Sequence, residues 1–172
     1  LFRFNTAADT KKTYTFSGAG DQATMSDTSE QVFTKKATVP ADALAVDDWC
    51  EWEAEIFIDG AVSTPAVTGK LYLGTATLES QVIATAAAND YLILRGHGRV
   101  SAATTLRAYK GLGETKDGTL SAQTHAAGAD VTIQSLSTAR DVTASVTSDA
   151  GNAGNLATIK TLRFTVFKAT TP

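Results

Sequence analysis

Cysteine, histidine and charge are scarce in this sequence, and each scarcity excludes a class of chemistry. There is one cysteine, Cys50, in 172 residues, so no disulfide can form within the chain. There are two histidines, His97 and His125. With a lone cysteine, and with the three residues so far apart, they give none of the ligand spacings of a zinc site. Charged residues make up only 19% and the formal net charge is −3. No basic patch stands out, which argues against binding nucleic acid through its phosphates. No apolar run approaches the ~18 residues that would suggest a membrane-spanning helix. No signal-peptide pattern is visible, and a first residue of Leu1 rather than Met leaves the native start open. Helix signals are nearly absent.

What remains is a chain of one-domain size, 43% hydrophobic, with Thr, Ala, Ser and Gly filling much of the rest. That balance suits a sandwich or barrel with many turns and does not suggest disorder. The clearest signal is residues 49–58. Cys50, Trp52, Ala54, Ile56 and Ile58 alternate with Glu51, Glu53 and Glu55, and Trp49 and Phe57 flank the glutamates. A period of two places one set on a buried face and the other on a wetter face of a strand. Asp59-Gly60 reads as a closing turn.

Similar runs recur along the chain: residues 13–16, 31–39 (closed by Pro40), 69–73 (broken by Gly74), 90–95, 105–110, 141–147 and 156–168, with weaker ones at 119–124 and 131–135. Residues 76–88 read better as a strand than as an Ala-rich helix. Residues 90–95 are apolar on both faces, so they should lie centrally, with Gly96-His97-Gly98 as an interruption before 99–101. Ile159 is out of phase with Leu162, Phe164 and Val166, which predicts a bulge. The expectation is an all-β, antiparallel jelly-roll β-sandwich of about nine or ten strands. It divides into residues 1–27, an N-terminal arm and first strand, and residues 28–172, the sandwich. Leu1, Phe2 and Phe4 would be apolar anchors of a flexible arm or part of a first edge strand.

Catalytic signals are sparse. His97 and His125 read as surface histidines without a role. Cys50 reads as a small buried apolar residue. Successive glutamates of Glu51, Glu53 and Glu55 would stand about 7 Å apart on one face. That is too wide for a small cation without help from other strands, yet within the range of inverting glycosidases, about 6.5–9.5 Å. A wet or intersubunit face, with arginine or lysine opposite on neighbouring strands, is the stronger reading. Gly111-Leu112-Gly113 and Gly96-His97-Gly98 precede no helix that would hold a phosphate. Asp149-Ala150-Gly151-Asn152 lacks the EF-hand spacing. No metal, cofactor or catalytic residue is assigned, and the chain is read as not an enzyme.

Several pieces together resemble the jelly-roll module of tailed-bacteriophage virion proteins. They are residues 31–39 running into Val39-Pro40-Ala41-Asp42-Ala43-Leu44, the strand Trp49–Ile58, Leu71-Tyr72-Leu73-Gly74, Tyr91–Gly96 leading to Arg99-Val100-Ser101, and 155–167 after the strand 142–147. The resemblance spans roughly residues 28–169 and leaves 111–135 poorly matched. Such modules resemble the tumour-necrosis-factor-like jelly roll and usually form trimers. The resemblance therefore implies a homotrimeric virion structural protein without nucleic acid or membrane insertion. The first form is a capsid decoration (cement) protein, bound to the major capsid protein or another virion protein on the outer capsid surface. Leu1, Phe2 and Phe4 would then anchor it, with Trp49, Glu51, Glu53, Glu55 and Phe57 as a candidate interface. The second is a head-fibre or tail-fibre/spike tip that binds a host surface glycan through residues such as Tyr109 and Asn152. The third, remote, is a glycan hydrolase using the Glu51–Glu55 face.

Overall fold

The computed structural model describes residues 11–16, 20–110, 113–115, 120–121 and 129–169. These hold fourteen strands and no helix: β1 (Lys11–Thr15), β2 (Asp21–Thr24), β3 (Gln31–Val32), β4 (Ala37–Val39), β5 (Trp49–Gly60), β6 (Val67–Leu73), β7 (Ala76–Ile83), β8 (Tyr91–Ala102), β9 (Thr105–Lys110), β10 (Gly113–Thr115), β11 (Leu120–Ser121), β12 (Ala129–Thr132), β13 (Arg140–Ser148) and β14 (Leu156–Phe167). Four of them are only two or three residues long. The ten longer ones are close in number to the nine or ten strands read from periodicity, but they include β2, in a stretch with no strand signal, and leave out β3 and β4, which lie in the run 31–39.

All pairings are antiparallel, in two sheets. The larger runs β1-β14-β5-β8, continuing to β10 and β11, with β2 also on β14 and with β9 joining β8 to β12. The smaller runs β3-β13-β6-β7, with β4 also on β13. The chain passes from β4 to β5 in the other sheet, back to β6 and β7, across to β8, then to β13 and finally β14. Eight strands, β1-β14-β5-β8 facing β4-β13-β6-β7, form the frame of a jelly roll.

The core lies between the sheets. Cys50, Trp52, Ala54, Ile56 and Ile58 of β5 face Val142, Ala144 and Val146 of β13 and Leu71 and Leu73 of β6, and all are buried. Glycines make room for the largest ring. A β-carbon on Gly96 would stand 2.5 Å from Trp52 Nε1, and one on Gly98 would stand 2.7 Å from the Arg107 carbonyl oxygen and 3.2 Å from Trp52 Cη2. Both glycines point inward on β8, and the Trp52 indole packs against them.

Three local expectations are corrected. Gly96-His97-Gly98 does not interrupt β8, which runs unbroken from Tyr91 to Ala102. Gly96 answers the Trp52 indole and Gly98 the Arg107 carbonyl, and the irregularity falls later, between Val100 and Ala102 against β9. Residues 31–39 are not one strand. β3 and β4 both pair with β13, but the chain between them is drawn aside, because the Asp21 carboxylate accepts the N–H groups of Thr34 and Lys35. Asp59-Gly60 is no turn. Both residues belong to β5, Gly60 pairs with Leu156, and a β-carbon there would stand 2.5 Å from the Gly154 carbonyl oxygen.

Other readings hold. Residues 76–83 are a strand, β8 is central, and β14 shifts register between Ile159 and Thr161. β1 and β2, the described part of residues 1–27 that forms strands, both pair with β14. Leu1, Phe2, Phe4, His125, Gly111 and Leu112 lie outside the described residues.

Candidate functional site

The outward side chains of the larger sheet form ordered rows, because antiparallel registry sets residues directly opposite one another. One row reads Lys11–Phe167–Trp49–Arg99–Arg107, the next Thr13–Thr165–Glu51–His97–Tyr109, and the third Thr15–Arg163–Glu53–Arg95. Of the candidate interface residues, Trp49, Glu51, Glu53, Glu55 and Phe57 all lie on this outer face. Glu55 is opposite Ile93 and Thr161, and Lys160 Nζ lies 5.3 Å from the centre of the Phe57 ring.

Trp49, His97 and Tyr109 gather into an aromatic cluster. Ring centres are 6.2 Å apart for Trp49–His97, 6.1 Å for Trp49–Tyr109 and 5.4 Å for His97–Tyr109, with interplanar angles of 28°, 19° and 18°. Three nearly parallel rings with nearly equal mutual distances cannot form a column, since the two end rings would then be about twice as far apart. Their centres form a triangle, with the ring planes within 28° of parallel and the rings stacked with an offset. Trp49 keeps 45% of its surface exposed.

A charged cluster adjoins it. Glu53 Oε2 accepts from Arg95 Nε at 3.2 Å and from Arg163 Nη2 at 2.9 Å. The two arginines stand on the strands either side of β5, as the expected opposite charge from neighbouring strands. Each guanidinium donates to Glu53 and is about half-exposed, which leaves further N–H donors facing outward. A depression of about 210 Å³ opens here, walled by Glu51, Glu53, Arg95, His97 and Arg163, over Trp52 and Gly96.

Buried and exposed acids steady the start of β5. Asp48, 1% exposed, accepts from the backbone N–H of Ala45 at 2.8 Å, that of Ala169 at 2.9 Å, and Lys168 Nζ at 2.8 Å. It thereby ties the loop before Trp49 to the end of β14. Asp47 Oδ1 accepts from Arg99 Nη2 at 2.6 Å. Beneath the face, Cys50 is buried, and burial followed by the nearby Asp48 charge pushes its thiol up to about 12, against smaller opposing effects of Lys168 and Arg140.

The smaller sheet carries a second polar cluster. Glu30 accepts from the hydroxyls of Tyr72 and Ser145 and lies 3.6 Å from Lys70 Nζ. Burial alone would raise the Glu30 carboxyl. The two hydroxyls and Lys70 outweigh that, and it lies below its ordinary value of 4.5.

Tyr109 belongs to the aromatic triangle, but Asn152 does not join it. Asn152 sits in the loop before β14, where its Oδ1 accepts from the Gly154 N–H at 2.8 Å. That loop adjoins Gly60, at the far end of β5 from Trp49. His97, Arg95 and Arg163 are the residues that sequence reasoning passed over. The signal for the first two was present: the period of two from Tyr91 through Ile93, Arg95 and His97 to Arg99 never breaks. Among the described residues, no group of three or more His, Cys, Asp or Glu could hold a metal ion, and no helix is long and apolar enough to cross a membrane.

No protein-family model matches the chain, and no curated protein matches it. Among solved structures it is similar to the CBM2 module of Lactobacillus casei BL23 phage J-1 evolved Dit, with 9% identity, a TM-score of 0.43, and 91% of this chain and 83% of that one covered. It is also similar to peanut lectin with a 9mer peptide, with 7% identity, a TM-score of 0.37, and 98% and 96% covered. At these identities no residue of the outer face carries over from either. The chain is an all-β jelly-roll sandwich with an aromatic and charged outer face on its larger sheet.

Proposed function

We propose that this chain is a carbohydrate-binding module that holds a neutral glycan on the outer face of its larger sheet and does not cleave it. The observation that carries the reading is the aromatic triangle of Trp49, His97 and Tyr109 beside the depression at Glu53. A pyranose ring presents a face of C–H bonds that packs on an aromatic plane, while its rim carries hydroxyls that both donate and accept. Trp49, the most exposed of the three rings, supplies the plane. Glu51 and Glu53 supply acceptors, and Arg95 and Arg163 supply donors. The two carboxylates and two guanidiniums cancel, so the lining favours a polyhydroxylated neutral ligand over an ionised one.

The test is a glycan array of neutral and acidic glycans, followed by calorimetric titration of the hits. Trp49→Ala should weaken binding by more than about tenfold while leaving thermal unfolding nearly unchanged. A recovered ligand should be unaltered. Failure of every glycan to bind at millimolar concentration would sink the reading.

In the setting implied by the resemblance to virion jelly rolls, the module sits on a phage particle as a fibre or spike tip facing the host surface, as a homotrimer. The eight-strand frame β1-β14-β5-β8 over β4-β13-β6-β7 also suits a second reading, a decoration protein gripping the outer capsid. Cosedimentation with expanded empty capsids tests that reading, and equilibrium sedimentation tests the trimer.

A further inference from the structure

The depression at Glu53 has a neighbour. A second one, of about 300 Å³, lies across β14, bounded by Thr15, Phe16, Lys160 and Thr161. Glu53 and Arg163 line both. The second hollow has a structural origin. β1 pairs with β14 over Arg163–Phe167 and β2 pairs with it over Leu156–Ile159, so neither strand pairs with residues 160–162. At the same place the register of β14 against β5 shifts between Ile159 and Thr161. Lys160 and Thr161 are exposed there. The bulge in β14, beside the end of β1, opens the hollow as a notch in the sheet.

The aromatic triangle, the Glu53–Arg163 pair and the notch therefore succeed one another across the strands. From β9 to β1 there are four interstrand steps of about 4.8 Å, or about 19 Å, which is the reach of a short oligosaccharide. Along the strands the path is obstructed at both ends. Arg99 is paired with Asp47 beside Trp49, and Lys160 is drawn over Phe57.

We infer that this face is a groove of several subsites for an unbranched neutral oligosaccharide lying across the strands. One sugar ring rests on the aromatic triangle. The next is gripped through its hydroxyls by Glu53 and the guanidinium of Arg163. The far end of the ligand enters the notch between Thr15 and Thr161. This rests on the glycan reading above and adds to it chain length, direction and a distal contact.

The experiment is calorimetric titration with malto-, cello- and galacto-oligosaccharides, from disaccharide to hexasaccharide. Wild-type protein is compared with Thr161→Trp and Thr15→Trp, each of which fills the notch from an exposed position. Thermal melts confirm that both variants fold. In the wild type, affinity for one series should rise by about tenfold or more from disaccharide to hexasaccharide. Each variant should lose that gain while binding the disaccharide as before. A hexasaccharide no tighter than the disaccharide, or variants that keep the whole gain, would overturn the groove and leave a single-ring site standing. No binding by any member of the three series, together with no hit on the glycan array, would overturn the glycan reading itself.

Discussion

A β-carbon added to Gly96 would stand 2.5 Å from Nε1 of Trp52, a residue 2% exposed whose indole N–H has no hydrogen-bond partner among the described residues. The ring occupies the space of a missing side chain and leaves its own donor unmatched. The next residue, His97, presents its imidazole to the opposite face.

Gly96→Ala should therefore act on both faces. Overpacking at a filled core position costs about 1–3 kcal/mol, read as a lower urea midpoint with an unchanged slope. Displacement of β8 should also disturb the His97 ring and weaken glycan binding. A neutral effect on both would mean that the indole shifts freely.

Glu53→Gln should change preference more than stability. Arg95 and Arg163 are about half-exposed, so loss of their ion pairs should move the folding free energy by no more than about 1 kcal/mol. The lining of the Glu53 depression would then carry one net positive charge. Affinity should shift from neutral oligosaccharides toward those bearing a carboxylate or phosphate. Competition between neutral and uronate-containing ligands reads this directly.

Acid should unfold the protein through its hydrogen-bonded carboxylates. Glu30, Asp21 and Asp141 all lie below their ordinary values of 4.5, 3.8 and 3.8. For Glu30 and Asp21, burial pulls the other way but is outweighed by hydrogen bonds. For Asp141, bonds from Lys36 and Thr38 lead. A lowered carboxyl contributes its full stability above the unfolded-state value and loses it as pH falls through the folded-state one. Thermal midpoints should hold steady above about pH 5 and fall below about pH 4.5. Glu30→Gln should flatten the upper part of that fall.

Cys50 should resist thiol reagents in the native state. Its thiol is pushed up to about 12 and the residue is wholly buried, so almost no thiolate exists near neutral pH. Native protein at pH 8 should stay unlabelled by a maleimide over hours, and denaturant should expose one reactive thiol. Rapid native labelling would show that the start of β5 opens.

Much of the sandwich could be read along the chain. The alternation from Trp49 to Ile58 separates core from surface, and the phase slip at Ile159 marks a bulge that β14 does make. Local reasoning failed where a distant group intervened. Gly96 and Gly98 look like a strand break, and only adjacent strands explain them: the Trp52 ring of β5 at Gly96, and the Arg107 carbonyl of β9, ahead of that ring, at Gly98. Thr34 and Lys35 look like mid-strand residues, and only the Asp21 carboxylate explains the bend. Asp59-Gly60 carries the composition of a turn, yet Gly60 stays in β5 against the Gly154 backbone.

The period of the strands, the side chains on the wet face and the exclusion of a disulfide within the given chain are all legible in the sequence, because each depends on residues near in the chain or on composition. The tertiary structure alone decided that Glu53 is held by Arg95 and Arg163, which are 42 and 110 residues away, and that Trp49, His97 and Tyr109 share one surface. Strand order and register join residues that are remote in the chain. The preference of each strand for its neighbour is spread over the whole buried interface between the sheets, so it cannot be read from any one stretch.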